Sequence, residues 1–212
     1  MARTGSSPFP LAALHEINGR CLDLLAHAAR TGAFAPFSLV GEIRAELLSS
    51  TPDSRRRAAA RNFLLLDLEF RNAEWWQAIS RYPEQPFRGT AWRPPFARRS
   101  AIGLTRATLM AAWQAIHSDP DAACILLAMD RAVAEVISHL PITTLDRISD
   151  RRHRHLQARW ADRPAIWRGL LQAAEHGDHG RSYVVDVHGL QLLTSDLLYD
   201  NSQRRKSPQT HG

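Results

Sequence analysis

Apolar residues in this chain recur at steps of three and four, in runs that proline and glycine cut short. That pattern restricts the chain to short helices packed on one another. The first run holds Leu14, Ile17, Cys21, Leu24, Leu25 and Ala28, one face of a 3.6-residue repeat, and Gly32 and Pro36 end it. Leu39, Ile43, Leu47 and Leu48 mark a second helix. The stretch Ser-Ser-Thr-Pro-Asp that follows supplies a stop and then a cap, because Ser or Thr before Pro-Asp suits an N-cap and first turn. Leu64, Leu65, Leu66 and Leu68 suggest a buried helix, with a strand as the alternative for so short an apolar run. From Ala101 to about Ser118 a longer stripe holds Leu104, Leu109, Ala112, Trp113 and Ile116, and Asp119-Pro120 opens the next helix. One more helix is expected around Arg163 to Ala174. The last apolar segment, from Ser182 to Tyr199, reads as helix, with a strand at its start as the alternative. The expected fold class is all-α.

A change of composition divides the chain. Tyr82 to Arg99 holds four prolines, one glycine, four arginines and four aromatics, and proline at that density excludes a continuous helix. The reading is a helical bundle in two halves: a flexible lead at 1–10, an N-terminal helical domain at 11–81, a connector at 82–99, a helical domain at 100–200 and a disordered tail at 201–212. The connector arginines Arg88, Arg93, Arg98 and Arg99 interleave with Phe87, Trp92 and Phe96. That mixture reads as a linker strapped across a core, with stacking on single-stranded nucleic acid as the alternative.

With 44% hydrophobic and 23% charged residues over 212 positions, the chain can bury a sizeable core. A net charge of +6 suits a polyanionic partner. Of the 27 basic residues only Lys206 is lysine, a skew that GC-rich coding produces unaided, so the placement of the arginines carries more weight than their number. No apolar run approaches the 18 residues of a membrane span, and the apolar patch near the N-terminus is interrupted by His15 and Glu16 too early for a signal peptide. A cytoplasmic protein without a membrane partner is expected, with Cys21 and Cys124 as reduced, core-facing thiols.

The segment Asp130 to Arg159 carries the functional signal. It reads as a helix, a turn at Pro141 and a second helix from about Thr143 to Ala158, the arrangement of a helix-turn-helix. Thr143 or Thr144 is placed to cap the second helix. Leu145, Ile148, Arg152 and Leu156 follow one face of it. Arg147, Arg151, Arg154 and Ala158 follow a neighbouring one. Between Pro141 and Leu170 seven arginines face three aspartates, so basic charge concentrates where a recognition helix would need it. The candidate DNA-binding residues are Thr143, Thr144, Arg147, Arg151, Arg152, Arg154 and Arg159, and the expected partner is double-stranded DNA.

Other constellations read as structural. Arg55, Arg56, Arg57 and Arg61 fit an exposed first turn, with a phosphate contact as the alternative. His176, Asp178, His179 and His188 match no metal-ligand spacing and read as a polar turn. No phosphate loop, triad or activated cysteine is evident, so neither enzymatic activity nor a cofactor or metal is expected. The alternative function is a helical adaptor that holds a protein partner without DNA contact.

The region from about Leu104 to Arg163 resembles FlhD, one subunit of the bacterial flagellar master transcriptional activator. The likeness lies in LTRATLMAAWQAI, the acidic break at Asp119, and AACILLAMDRAVAEVISHLPITTLDRISD with its Leu-Pro turn. It covers under a third of the chain, and FlhD has no counterpart of residues 1 to 100. The resemblance implies an all-α DNA-binding subunit that dimerises or works beside a second regulatory subunit.

Overall fold

The computed structural model describes residues 11–35, 37–82, 96–177 and 179–206, and of residues 179, 181, 182 and 196–206 the backbone alone. Helix makes up 74% of the described residues, against one sheet of two short strands among them, so the fold is all-α. In chain order the described elements are α1 (Leu11–Thr31), α2 (Leu39–Glu42), α3 (Arg44–Ser49), α4 (Pro52–Ala59), β1 (Leu66–Asp67), α5 (Ala73–Arg81), α6 (Arg98–Ser118), α7 (Pro120–Leu126), α8 (Arg131–Ser138), α9 (Ile142–Arg152), a 3-10 turn (His153–His155), β2 (Gln157–Ala158), α10 (Pro164–Glu175) and α11 (His179–Lys206). None of these helices is long and apolar enough to cross a membrane.

Local chemistry sets most of the boundaries. Thr51 and Ser54 form a reciprocal capping box at the start of α4, with Pro52 in its first turn. Asp119 accepts from the amides of Asp121 and Ala122 to start α7, and Asp130 accepts from Ala132 to start α8. The helix expected from Leu39 to Leu48 is broken at Ile43 into α2 and α3. Helix α11 runs without a strand to Lys206, past the expected start of a tail at 201. The lead at 1–10, the connector from 83 to 95 with Arg88, Arg93, Phe87 and Trp92, and residues 207–212 lie outside the described residues.

Helices α1 and α6, each of 21 residues, form the central pair. Helices α3 and α4 pack on α1, with α10 against both; α7, α8 and α9 pack on α6. The two halves do not hold separate cores. A single apolar cluster runs from Leu14 of α1 to Leu193 of α11 and takes in side chains from every part between. The segment 63–70 links the halves: a buried helix is the first expectation for it and a strand the alternative, and it is in fact non-helical, with a two-residue strand at Leu66–Asp67 and bends on either side. Phe63, Leu64, Leu65, Leu66, Leu68 and Phe70 are all buried, and a segment covered on every side reads as a continuous apolar run whatever its conformation.

Its backbone groups must then find partners inside the protein. The β1–β2 pair is antiparallel, with Leu66 opposite Ala158 and Asp67 opposite Gln157. Leu64 N–H donates to Leu126 O at 3.0 Å, Arg159 N–H to Leu65 O at 2.9 Å, and Asp130 N–H to Phe70 O at 2.9 Å. From the other side the fully buried carboxamide of Asn18 on α1 donates to the carbonyls of Ala59 and Phe63 and accepts from Leu65 N–H at 2.8 Å.

Replacing Asn18 with Ala strips three buried backbone groups of their partner. The expected loss is about 3 kcal/mol or more of unfolding free energy, read as a lower urea midpoint. A loss below about 1 kcal/mol would mean that the segment is held mainly by its apolar side chains.

Candidate nucleic-acid interface

Helix α8 is followed by α9, with the three residues His139–Pro141 between them. Leu140 turns inward, and its carbonyl accepts a hydrogen bond from Trp113 Nε1 of α6 at 3.2 Å, which pins the turn. Pro141 takes the N-cap position of α9, and no side chain caps that end. Thr143 and Thr144 therefore lie inside the first turn rather than at its cap. Thr143 is exposed and Thr144 half-buried.

Leu145, Ile148, Ser149 and Arg152 form the buried face of α9, which lies against α6. Arg106 of α6 pairs with Asp146 at 2.8 Å, and the charge of Arg98, two turns earlier on α6, acts on His153 just past α9. The two helices thus run antiparallel. Helix α8 also packs on α6, so α6 braces both members of the pair.

The helix expected to reach Ala158 ends at Arg152. A 3-10 turn follows, and the chain then extends into β2. This divides the candidate residues. Thr143, Arg147, Arg151 and Arg154 are exposed and line one side of α9 and the turn after it. Arg152 and Arg159 do not join them. Arg152 is buried, and desolvation, reinforced by the charge of Arg151, lowers its pKa. Arg159 is only 6% exposed. Its guanidinium donates to the carbonyl of Leu127 and lies 3.5 Å from the Asp67 carboxylate. Both are interior residues: Arg152 lies on the face of α9 turned to α6, and Arg159 follows β2 into the contact between the halves.

The surroundings are cationic. Burial, reinforced by the charges of Arg98 and Arg154, holds His153 below the ordinary imidazole value, although its ring contact with Asp150 O works the other way. Arg98 was grouped by composition with the connector, yet it lies in the first turn of α6, where a cation opposes the helix dipole. The sequence signal that could have found it is the apolar repeat of α6, which extends back to Ala101.

The second basic cluster is mostly committed to the fold. Arg55 pairs with Asp23 at 2.7 Å and donates to Ser50 O. Arg57 donates to the carbonyls of Ala174 and Glu175 at the end of α10, and Arg61 reaches Asp186 of α11 at 3.1 Å. Arg56 is exposed beside Asp53. Among the described residues, no three His, Cys, Asp or Glu side chains lie where they could hold a metal. His176 and His188 are exposed, and Asp178 lies outside the described residues. Cys21 and Cys124 are free thiols whose pKa values burial raises, so neither is a ready thiolate.

One further contact ties the basic turn to the N-terminal half. His155 Nδ1 lies 3.5 Å from Glu69 Oε1, and its ring sits on Trp75. The hydrogen bond from His155 holds the Glu69 carboxyl below its usual value against a smaller desolvation effect.

Two outcomes are expected. Replacing Arg159 with Ala leaves the Asp67 carboxylate and the Leu127 carbonyl without its guanidinium and should cost about 3 kcal/mol in a denaturant titration. A neutral result would return Arg159 to the list of surface contacts. For Glu69 the folded pKa lies below the unfolded one, so its contribution is fully present above about pH 4.3 and drains away as pH falls through the folded value. The stability difference between wild type and Glu69→Gln should therefore shrink on acidification below about pH 4. A difference that stays constant from neutral pH into that range would remove the assigned role.

No family model matches the chain, and no curated protein or solved structure matches it either.

Proposed function

We propose that the protein is a DNA-binding transcriptional regulator of FlhD-like type, working in the cytoplasm as a dimer or beside a second regulatory subunit, with α9 presented to the major groove. The observation that carries this reading is the exposed row of Thr143, Arg147, Arg151 and Arg154 on a helix held firmly from behind. An 11-residue helix is about 16 Å long, and a major groove about 12 Å wide admits it. In this arrangement Thr143 and Arg147 meet base edges at the N-terminal end of α9. Arg151 and Arg154 meet phosphates, and Arg98 adds to the positive field from the side. The first turn of α9 has no side-chain cap; Pro141 O takes the Thr144 amide at 2.9 Å, which leaves the amides of Ile142 and Thr143 to face a backbone phosphate.

The arrangement departs from a minimal helix-turn-helix in one respect. Helices α8 and α9 both lean on α6 while touching each other only slightly, so the presentation of α9 depends on α6 rather than on α8. A helical adaptor without DNA contact is the second reading, and Tyr183 and Val184 on the outside of α11 favour it, being large apolar side chains left exposed.

Fluorescence anisotropy with duplex DNA from the region upstream of the protein's own gene distinguishes the two. The variant Arg147→Ala/Arg151→Ala/Arg154→Ala should keep its helical circular dichroism, lose affinity, and lower the slope of log K against log salt by about 2 to 3. Wild-type protein that does not bind duplex at low salt, or a variant with unchanged slope, supports the adaptor instead.

A further inference from the structure

Where the start of α6 meets the turn that follows α9, basic side chains from two elements converge. The two helices are antiparallel, and Arg106 faces Asp146 across them. Eight residues beyond Asp146 stands Arg154, and eight residues before Arg106 stands Arg98. At about 1.5 Å of rise per residue both lie about 12 Å from that ion pair, so the register brings them to the same end of the contact. His153 stands with them, in the 3-10 turn that packs against α6. The charges that act on its ring are Arg98 from α6 and, from its own segment, Arg154 and more weakly Asp150.

This cluster is short of negative charge. Arg98 and Arg154 are exposed, and neither makes an ion pair or a hydrogen bond among the described residues. Arg98 also sits in the first turn of α6, where no acidic residue accompanies it and the helix dipole opposes a cation. Like charges gathered without a counter-ion work against the fold, and an anion from outside relieves them.

The imidazole supplies the chemistry. His153 is 6% exposed, and its Nδ1 lies 2.9 Å from the carbonyl oxygen of Asp150. A carbonyl can only accept, so Nδ1 carries the hydrogen. Among the described residues Nε2 has no hydrogen-bond partner, yet it is not one of the unpartnered atoms shut off from solvent. In the neutral ring Nε2 holds a lone pair, which repels a phosphate oxygen. A second proton turns it into a donor. Without an anion that proton is disfavoured, first by burial and then by the two guanidinium groups, although the contact with Asp150 works the other way. An anion docked among the three side chains reverses the electrostatic part of that balance.

We propose that Arg98, His153 and Arg154 form a seat for one phosphate of the DNA backbone, and that His153 takes a proton from solvent as the phosphate docks. The two arginines and the imidazolium Nε2–H each supply a charge-assisted bond. DNA as the source of the phosphate rests on the DNA-binding reading; the seat for an anion does not. Because the bound form holds one proton more than the free form, affinity for DNA rises as pH falls.

Two measurements on the full chain separate the seat from its occupant. In the first, the His153 ring is titrated by NMR from about pH 8 to about pH 5, in sulfate and in chloride at equal ionic strength. Sulfate keeps its charge across this range. It should raise the proton affinity of His153 about threefold or more, and Arg98→Gln should at least halve that gain. No gain in wild type, or an equal gain in Arg98→Gln, would overturn the seat. In the second, duplex anisotropy titrations run over the same pH range at fixed salt. Other histidines also charge there, so the readout is a difference: acidification should strengthen wild-type binding about threefold more than binding by Arg98→Gln. An equal effect on both would remove DNA as the occupant while the seat for a free anion stands. No duplex binding by wild type at any pH would overturn the DNA-binding reading, and the sulfate titration alone then decides the seat.

Discussion

A buried segment that is not helical is a demand on the rest of the molecule, because each of its amides and carbonyls must be matched inside the protein. Residues 63–70 make that demand here, and Asn18 answers much of it. One carboxamide offers two donors and an acceptor, and all of this capacity is spent on Ala59, Phe63 and Leu65. Further groups are matched by the C-terminal half, through Leu126, β2 and Asp130. The position of α1 against α6 and the entry of the chain into β2 both follow from that exchange. So does the point at which the basic helix α9 must stop.

Long cationic side chains hold the periphery in the same manner. Arg57 of α4 donates to the last carbonyls of α10, groups that no helix can satisfy for itself. Arg55, Arg61 and Arg159 reach acids or carbonyls on other elements. Arginine suits this work because its planar fork forms several bonds at once and sheds water more readily than an ammonium. The net charge of the chain therefore overstates the charge available to a partner. The exposed arginines near α9 form a compact row rather than a broad field.

Much of the helical layout could be read from the chain because its causes are local. The repeats of α1 and α6, the Thr51 and Asp119 caps and the turn before Pro141 depend on residues within a few positions of one another. The conformation of 63–70 could not be read in this way. An all-apolar run has no periodicity to distinguish helix from strand, and its partners lie up to about 90 positions away in the chain, beyond any local rule. The candidate row was legible in part: Arg147, Arg151 and Arg154 emerge on one side as their spacing suggests. Arg152 turns inward with the apolar face on which its spacing puts it, whereas Arg159 does so for reasons visible only once Asp67 and Leu127 stand beside the chain.

The pairing of Leu66 with Ala158 also bears on how the protein is made. Synthesis delivers the N-terminal strand long before its partner, and contacts this distant in sequence close slowly. While Gln157 and Ala158 are still within the ribosome, the apolar segment 63–70 has an unpaired strand edge and only Asn18 to shield its amides. The nascent chain thus passes through an interval in which a sticky edge is open to other chains. A cell producing this protein would be expected to cover that interval with a chaperone or to keep it brief.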